Sequence, residues 1–106
     1  MVDRKAHIQK MDARVRQWRA ELDRLIAKAD EAEADAKIGV QRRVSELQEK
    51  YSTVRARFDE LVAAGEQAYE RAKAAFDAAA DEFSKAYERT KERTKRSNAA
   101  TGGPTR

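Results

Sequence analysis

The sequence predicts an all-α protein: an antiparallel coiled-coil hairpin of one long and one shorter helix that self-associates. Three observations carry this. Charged residues make up 40% of the 106 positions and aromatics only 7%, and the charges are interleaved with Ala, Leu, Val and Glu rather than blocked. That composition suits long exposed helices. The single proline lies at 104, so nothing before it removes a helical backbone donor. Apolar residues also recur in steps of three and four over most of the chain, the seam of a coiled coil.

The first run is Ile8, Met11, Val15, Trp18, Leu22, Leu25, Ala29, Ala32 and Ala36, with no missed step. The second is Val44, Leu47, Tyr51, Val54, Phe58 and Leu61. Between them the phase slips by one residue, with Gly39 inside the slip. A lone glycine costs a helix about 1 kcal/mol relative to alanine. The first two runs are therefore expected on one helix over 4–63, weakest near Gly39. A turn follows at 64–66, where Gly65 suits the left-handed position after a helix end. The third run, Tyr69, Ala72, Phe76, Ala79, Phe83, Ala86 and Thr90, places a second helix over 67–97, with Tyr87 beside its seam. Residues 1–97 then form a single domain. Residues 98–106, NAATGGPTR, have no period and are expected to be a disordered tail.

The four letters AYER occur at 68–71 and again at 86–89. Eighteen residues are about five helical turns, so Tyr69 and Tyr87 share one stripe of the second helix. The hairpin seam is thus Val44, Leu47, Tyr51, Val54, Phe58 and Leu61 against Tyr69, Phe76, Phe83 and Tyr87. Charge supports a fold near Gly65: Lys50 is set opposite Glu82, and Arg43 opposite Glu88. The acidic cluster Asp30, Glu31, Glu33 and Asp35 is set opposite the basic stretch at 95–100.

A hairpin of these lengths covers only half of the first helix. Ile8, Met11, Val15, Trp18, Leu22 and Leu25 remain a bare apolar stripe, and a stripe of that size calls for a partner. A homodimer or other homo-oligomer is expected through residues 8–36, with another protein as the alternative cover.

Catalysis needs tuned groups held in a cleft. There is no cysteine, and the one histidine, His7, falls on an expected solvated face near a frayed end. Neither a Glu-x-x-His pair nor a phosphate-cradling glycine loop occurs. The expectation is a non-enzyme without cofactor or metal. No apolar run approaches the length of a membrane span and no signal-peptide pattern opens the chain, which leaves a cytoplasmic protein as the default. Arg4, Lys5, Lys10, Arg14, Arg16 and Arg19 could meet an anionic surface, either membrane or nucleic acid. That stands second to the coiled-coil reading, because Trp18 occupies a seam position.

Residues 8–38, IQKMDARVRQWRAELDRLIAKADEAEADAKI, resemble a family of small bacterial coiled-coil stress-response proteins, some connected with cyanobacterial salt stress. The likeness rests on the IQKM opening, Trp18 and the AEADAK stretch, and continues less closely through 46–80. It departs in having Tyr69 and Tyr87 where the family often has tryptophan, and in an arginine-rich flank and basic tail. The resemblance implies a helical, non-enzymatic protein of structural or interaction role, tied to stress.

Overall fold

The computed structural model describes residues 4–102. They form three helices with no strand among the described residues: α1 (Arg4–Ala29), α2 (Ala34–Ala63) and α3 (Tyr69–Gly102). The assembly is elongated, 58 × 20 × 16 Å.

The expected helix over 4–63 is two helices. It breaks at 30–33, and Gly39 lies inside α2 with open space where a Cβ would stand. Electrostatics favours the start of α2 at that point but not the end of α1. A helix C-terminus carries partial negative charge and an N-terminus partial positive charge. Glu33 at the N-cap of α2 and Asp35 in its first turn sit at a positive end, whereas Asp30 and Glu31 follow the negative end of α1 and oppose a stop there. The larger cause is hydrophobic. Burying a leucine-sized side chain is worth about 1.5–3 kcal/mol, and breaking the helix lets α1 fold back over the other two. Met11, Val15, Leu22 and Leu25 are all at most 4% exposed, and Ile8 and Trp18 pack against the same core. The stripe that a second copy was expected to cover is covered by this chain's own α2 and α3.

The junction after α2 also differs from expectation. Ala64 is extended at the C-cap, its N–H bonded to the Leu61 carbonyl, and among the described residues no glycine has a positive φ. Gly65 therefore does not make a left-handed stop. The connection runs to Ala68, and α3 begins at Tyr69 rather than 67. It continues to Gly102, past the expected end at 97, so 98–102 of the expected tail are helical; 103–106 lie outside the described residues.

One core joins all three helices. From α2 come Leu47, Tyr51, Val54, Phe58 and Leu61, and from α3 Phe76, Ala80, Phe83 and Ala86. Tyr69 and Tyr87 pack against it, partly buried. Phe83 is its hub: its ring lies 5.5 Å from Trp18, 5.9 Å from Tyr51 and 6.0 Å from Tyr87. Phe58 meets Phe76 at 6.0 Å. A smaller cluster of Ala29, Ala32, Val40 and Val44 closes the end near the 30–33 break. Buried positions are not confined to the seam. Ala80 and Thr94 lie one step beyond it and are 5% and 2% exposed, while Ile26 and Tyr87 at the same step are partly buried. A helix that touches two neighbours needs this wider face.

Candidate interaction surfaces

With the seams buried, α1 turns its polar side outward, and most of the six predicted basic residues are already engaged within the chain. Arg4 donates to the Ala64 carbonyl and lies over the Tyr69 ring, 4.5 Å from its centroid. Arg14 covers Trp18 at 4.8 Å. Arg16 pairs with Asp12 at 3.0 Å. Arg19 pairs with Asp23 at 3.4 Å and lies 5.7 Å from the Tyr51 ring. Lys5 and Lys10 are exposed. The arginines thus shield aromatic rings, and exposed cation–π contacts are worth roughly 0.5–1 kcal/mol each. They are spread along a helix that also presents Asp12 and Asp23, so the six do not form one cationic face.

The structure does bring together a different basic group. Between α1 and α3 runs an open groove of about 600 Å³ lined by Glu21, Arg24, Leu25, Lys28, Tyr87, Glu88, Lys91, Thr94 and Lys95. Arg24 and Lys28 are one turn apart on α1, and Lys91 and Lys95 one turn apart on α3. Like charges at that spacing repel by roughly 0.2–0.5 kcal/mol per pair. Thr94 is 2% exposed and its hydroxyl has no hydrogen-bond partner. Burial raises the Tyr87 phenol above its ordinary pKa; Glu21 and Glu88 add to the rise and Arg24 opposes it. Tyr87 is therefore a neutral hydroxyl at physiological pH. The sequence placed these bases in separate runs, and only the fold-back of α1 makes them neighbours.

A second groove, about 760 Å³, separates α2 from α3 on Ala75, Ala78 and Ala79. Its rim carries Glu46, Glu49, Arg57 and the Lys50–Glu82 pair at 3.4 Å, the pair that the charge pattern set opposite one another. Exposed pairs of this kind contribute about 0–1 kcal/mol. Arg57 pairs with Glu60 on its own helix at 2.9 Å.

His7 is not on a solvated face. It is half-buried, with Nε2 enclosed and without a partner. Tyr69 Oη is likewise enclosed and unpaired. Among the described residues, no group of three or more His, Cys, Asp or Glu side chains could hold a metal ion. No helix there is long and apolar enough to cross a membrane.

Compared with protein-family models, curated proteins and solved structures, the chain matches none.

Proposed function

We propose that the chain is a non-enzymatic coiled-coil protein, an antiparallel three-helix module that works by holding a shape and offering its surface to partners in a stress response. The observation that carries this reading is the order of the contacts between helices. Tyr51 precedes Phe58 on α2, whereas its partner Phe83 follows Phe76 on α3. Arg4 and Trp18 on α1 are as far apart as their partners Tyr69 and Phe83 on α3. Heptad-spaced side chains meeting in constant register support a coiled coil. The stress setting rests on the resemblance of residues 8–38 alone.

Two experiments test the two halves. Spin labels at 47 and 83 report a short distance in the antiparallel arrangement; a distance near about 54 Å, that of a straight helix between the two positions at about 1.5 Å per residue, removes it. Loss of the gene should slow growth of the host at raised salt, with rescue by the wild-type chain and not by Phe83→Ala. Unchanged growth under salt and other stresses sinks the stress role while leaving the architecture standing.

One observation favours a second reading, binding of an anionic surface, either membrane or nucleic acid. It is the α1–α3 groove, where Arg24, Lys28, Lys91 and Lys95 converge. Co-sedimentation with anionic vesicles or DNA should then fall as salt rises, since charge contacts are screened, and fall further in Lys91→Gln/Lys95→Gln. Absence of binding at low salt rejects it.

A further inference from the structure

The 30–33 break is an unusual place for a chain to reverse. It contains neither glycine nor proline, and no residue in it has a positive φ. The helical bonding hardly stops. The Asp30 N–H donates to the Ile26 carbonyl at 3.2 Å, Glu31 to Lys28 at 3.1 Å and Ala32 to Ala29 at 3.1 Å. Bonding resumes at once, with the Glu33 carbonyl accepting from Ala36 and Lys37 at 3.0 and 2.8 Å. Glu33 is the cap residue, at φ −62° and ψ 155°, and its side chain makes no capping bond. Its φ is already helical. Rotating ψ to about −40° would restore helical geometry there. The three-and-four spacing runs across the break without a slip, from Leu25 through Ala29 and Ala32 to Ala36. Local sequence therefore supports a straight helix that the fold does not use.

We propose that two copies of this chain exchange α1 across the Glu33 hinge. In the exchanged form each chain carries one continuous helix from α1 into α2, and its α1 lies on α2 and α3 of the other copy. Every core contact is kept; Trp18 meets the partner copy's aromatic cluster instead of its own. Exchange of an identical element is a low-cost route to a symmetric dimer. The register fits a two-fold axis at the hinge. Val15 faces Tyr51 and Arg4 faces Ala64, so the two pairs are centred on residues 33 and 34. Ala29, Ala32 and Ala36 are the seam residues nearest that axis, small enough for two long helices to cross closely. Asp30, Glu31, Glu33 and Asp35 of both copies also gather there, and Lys28 and Lys37 are the nearest bases on the two helices. That acidic crowding opposes the dimer and makes it salt-dependent.

At low concentration the chain's own α1 wins, because a short link gives it an effective concentration near the millimolar range. The proposal goes beyond the architectural reading: a chain that never exchanges keeps its three-helix form.

Light scattering is done on chain refolded from denaturant at about millimolar concentration, in low and high salt. A species of twice the chain mass is expected, with its fraction at least doubled at high salt. Glu33→Pro is the decisive variant. Proline matches the observed φ, and no backbone bond from the residue-33 N–H is seen in the closed form, whereas inside a continuous helix it removes a bond and clashes. It should abolish the dimer. Spin labels supply the identity of the dimer: one batch carries Gln17→Cys, another Ser52→Cys, and the two are refolded together. A short distance between copies is expected. A single-chain mass throughout, a dimer that persists in Glu33→Pro, or a dimer lacking the short distance between copies would each overturn the exchange.

Discussion

The two ends of the molecule are packed by different chemistry. Toward the 64–68 connection the core is aromatic, with Tyr51, Phe58, Phe76 and Phe83 packed ring on ring and Trp18 and Tyr69 along its edge. Toward the 30–33 hinge it thins to Ala29, Ala32, Val40 and Val44, with Thr90 and Thr94 buried on α3 among the residues whose burial is described. Large rings remove much apolar area from water and interlock in one way. Alanines and threonines bury little and fit several ways. One end therefore fixes which helices pair and in what register, and the other leaves the path between α1 and α2 weakly determined.

The strongest way to break that contrast is to empty the aromatic hub. Phe83→Ala removes the ring shared by Trp18, Tyr51 and Tyr87 and should cost about 3–5 kcal/mol, read as a large fall in the urea midpoint followed by circular dichroism. The matching change at the other end is Val44→Ala. Deleting two buried methyl groups costs about 1.5 kcal/mol at about 0.8 kcal/mol per group, and a loose end can collapse around the gap. A loss at Val44 equal to that at Phe83 would erase the distinction. At the hinge end too lies Gly39, exposed and helical with nothing near its missing Cβ. Gly39→Ala should stabilise by roughly 0.5–1 kcal/mol, read as a rise in melting temperature. Destabilisation there would mean that α2 does not run unbroken through the region.

The smallest expected effect is a pH dependence at the α1–α3 groove. The Tyr87 phenol is raised above its ordinary value near pH 10, so the folded chain holds this proton more tightly than the unfolded one does. Its stabilising effect is whole below about pH 10 and is lost as pH rises through the folded value. Tyr87→Phe should flatten the alkaline edge of the stability profile. An identical edge in the variant would assign that slope to other groups.

The large core residues of the seam could be read from spacing, because large apolar residues in steps of three and four have few places to go except inward, whereas Val40, Ala80 and Thr94 are buried off it. What α1 packs on could not. Chain reversal is usually announced by glycine or proline, and here Gly39 sits in an ordinary helix while Asp30, Glu31, Ala32 and Glu33 turn with no such mark. A signal for a third helix did exist. Ile26, Ala80, Tyr87 and Thr94 stand one step beyond the seam, and that widening marks helices with two neighbours. Weighed with the bare stripe from Ile8 to Leu25, it would have pointed to cover from within the chain. The α1–α3 groove was out of reach, since Arg24 and Lys28 meet Lys91 and Lys95 only after that fold-back.

Phe83 also sets an order of events during synthesis. The ring that joins Trp18 to Tyr51 belongs to α3, the last of the three helices to leave the ribosome. Until it arrives, α1 and α2 can pair but cannot enclose either aromatic, and both stay open to chaperones and to neighbouring chains. The chain thus completes its aromatic core late, and Trp18 fluorescence on stalled nascent chains should stay water-like until residue 83 has emerged.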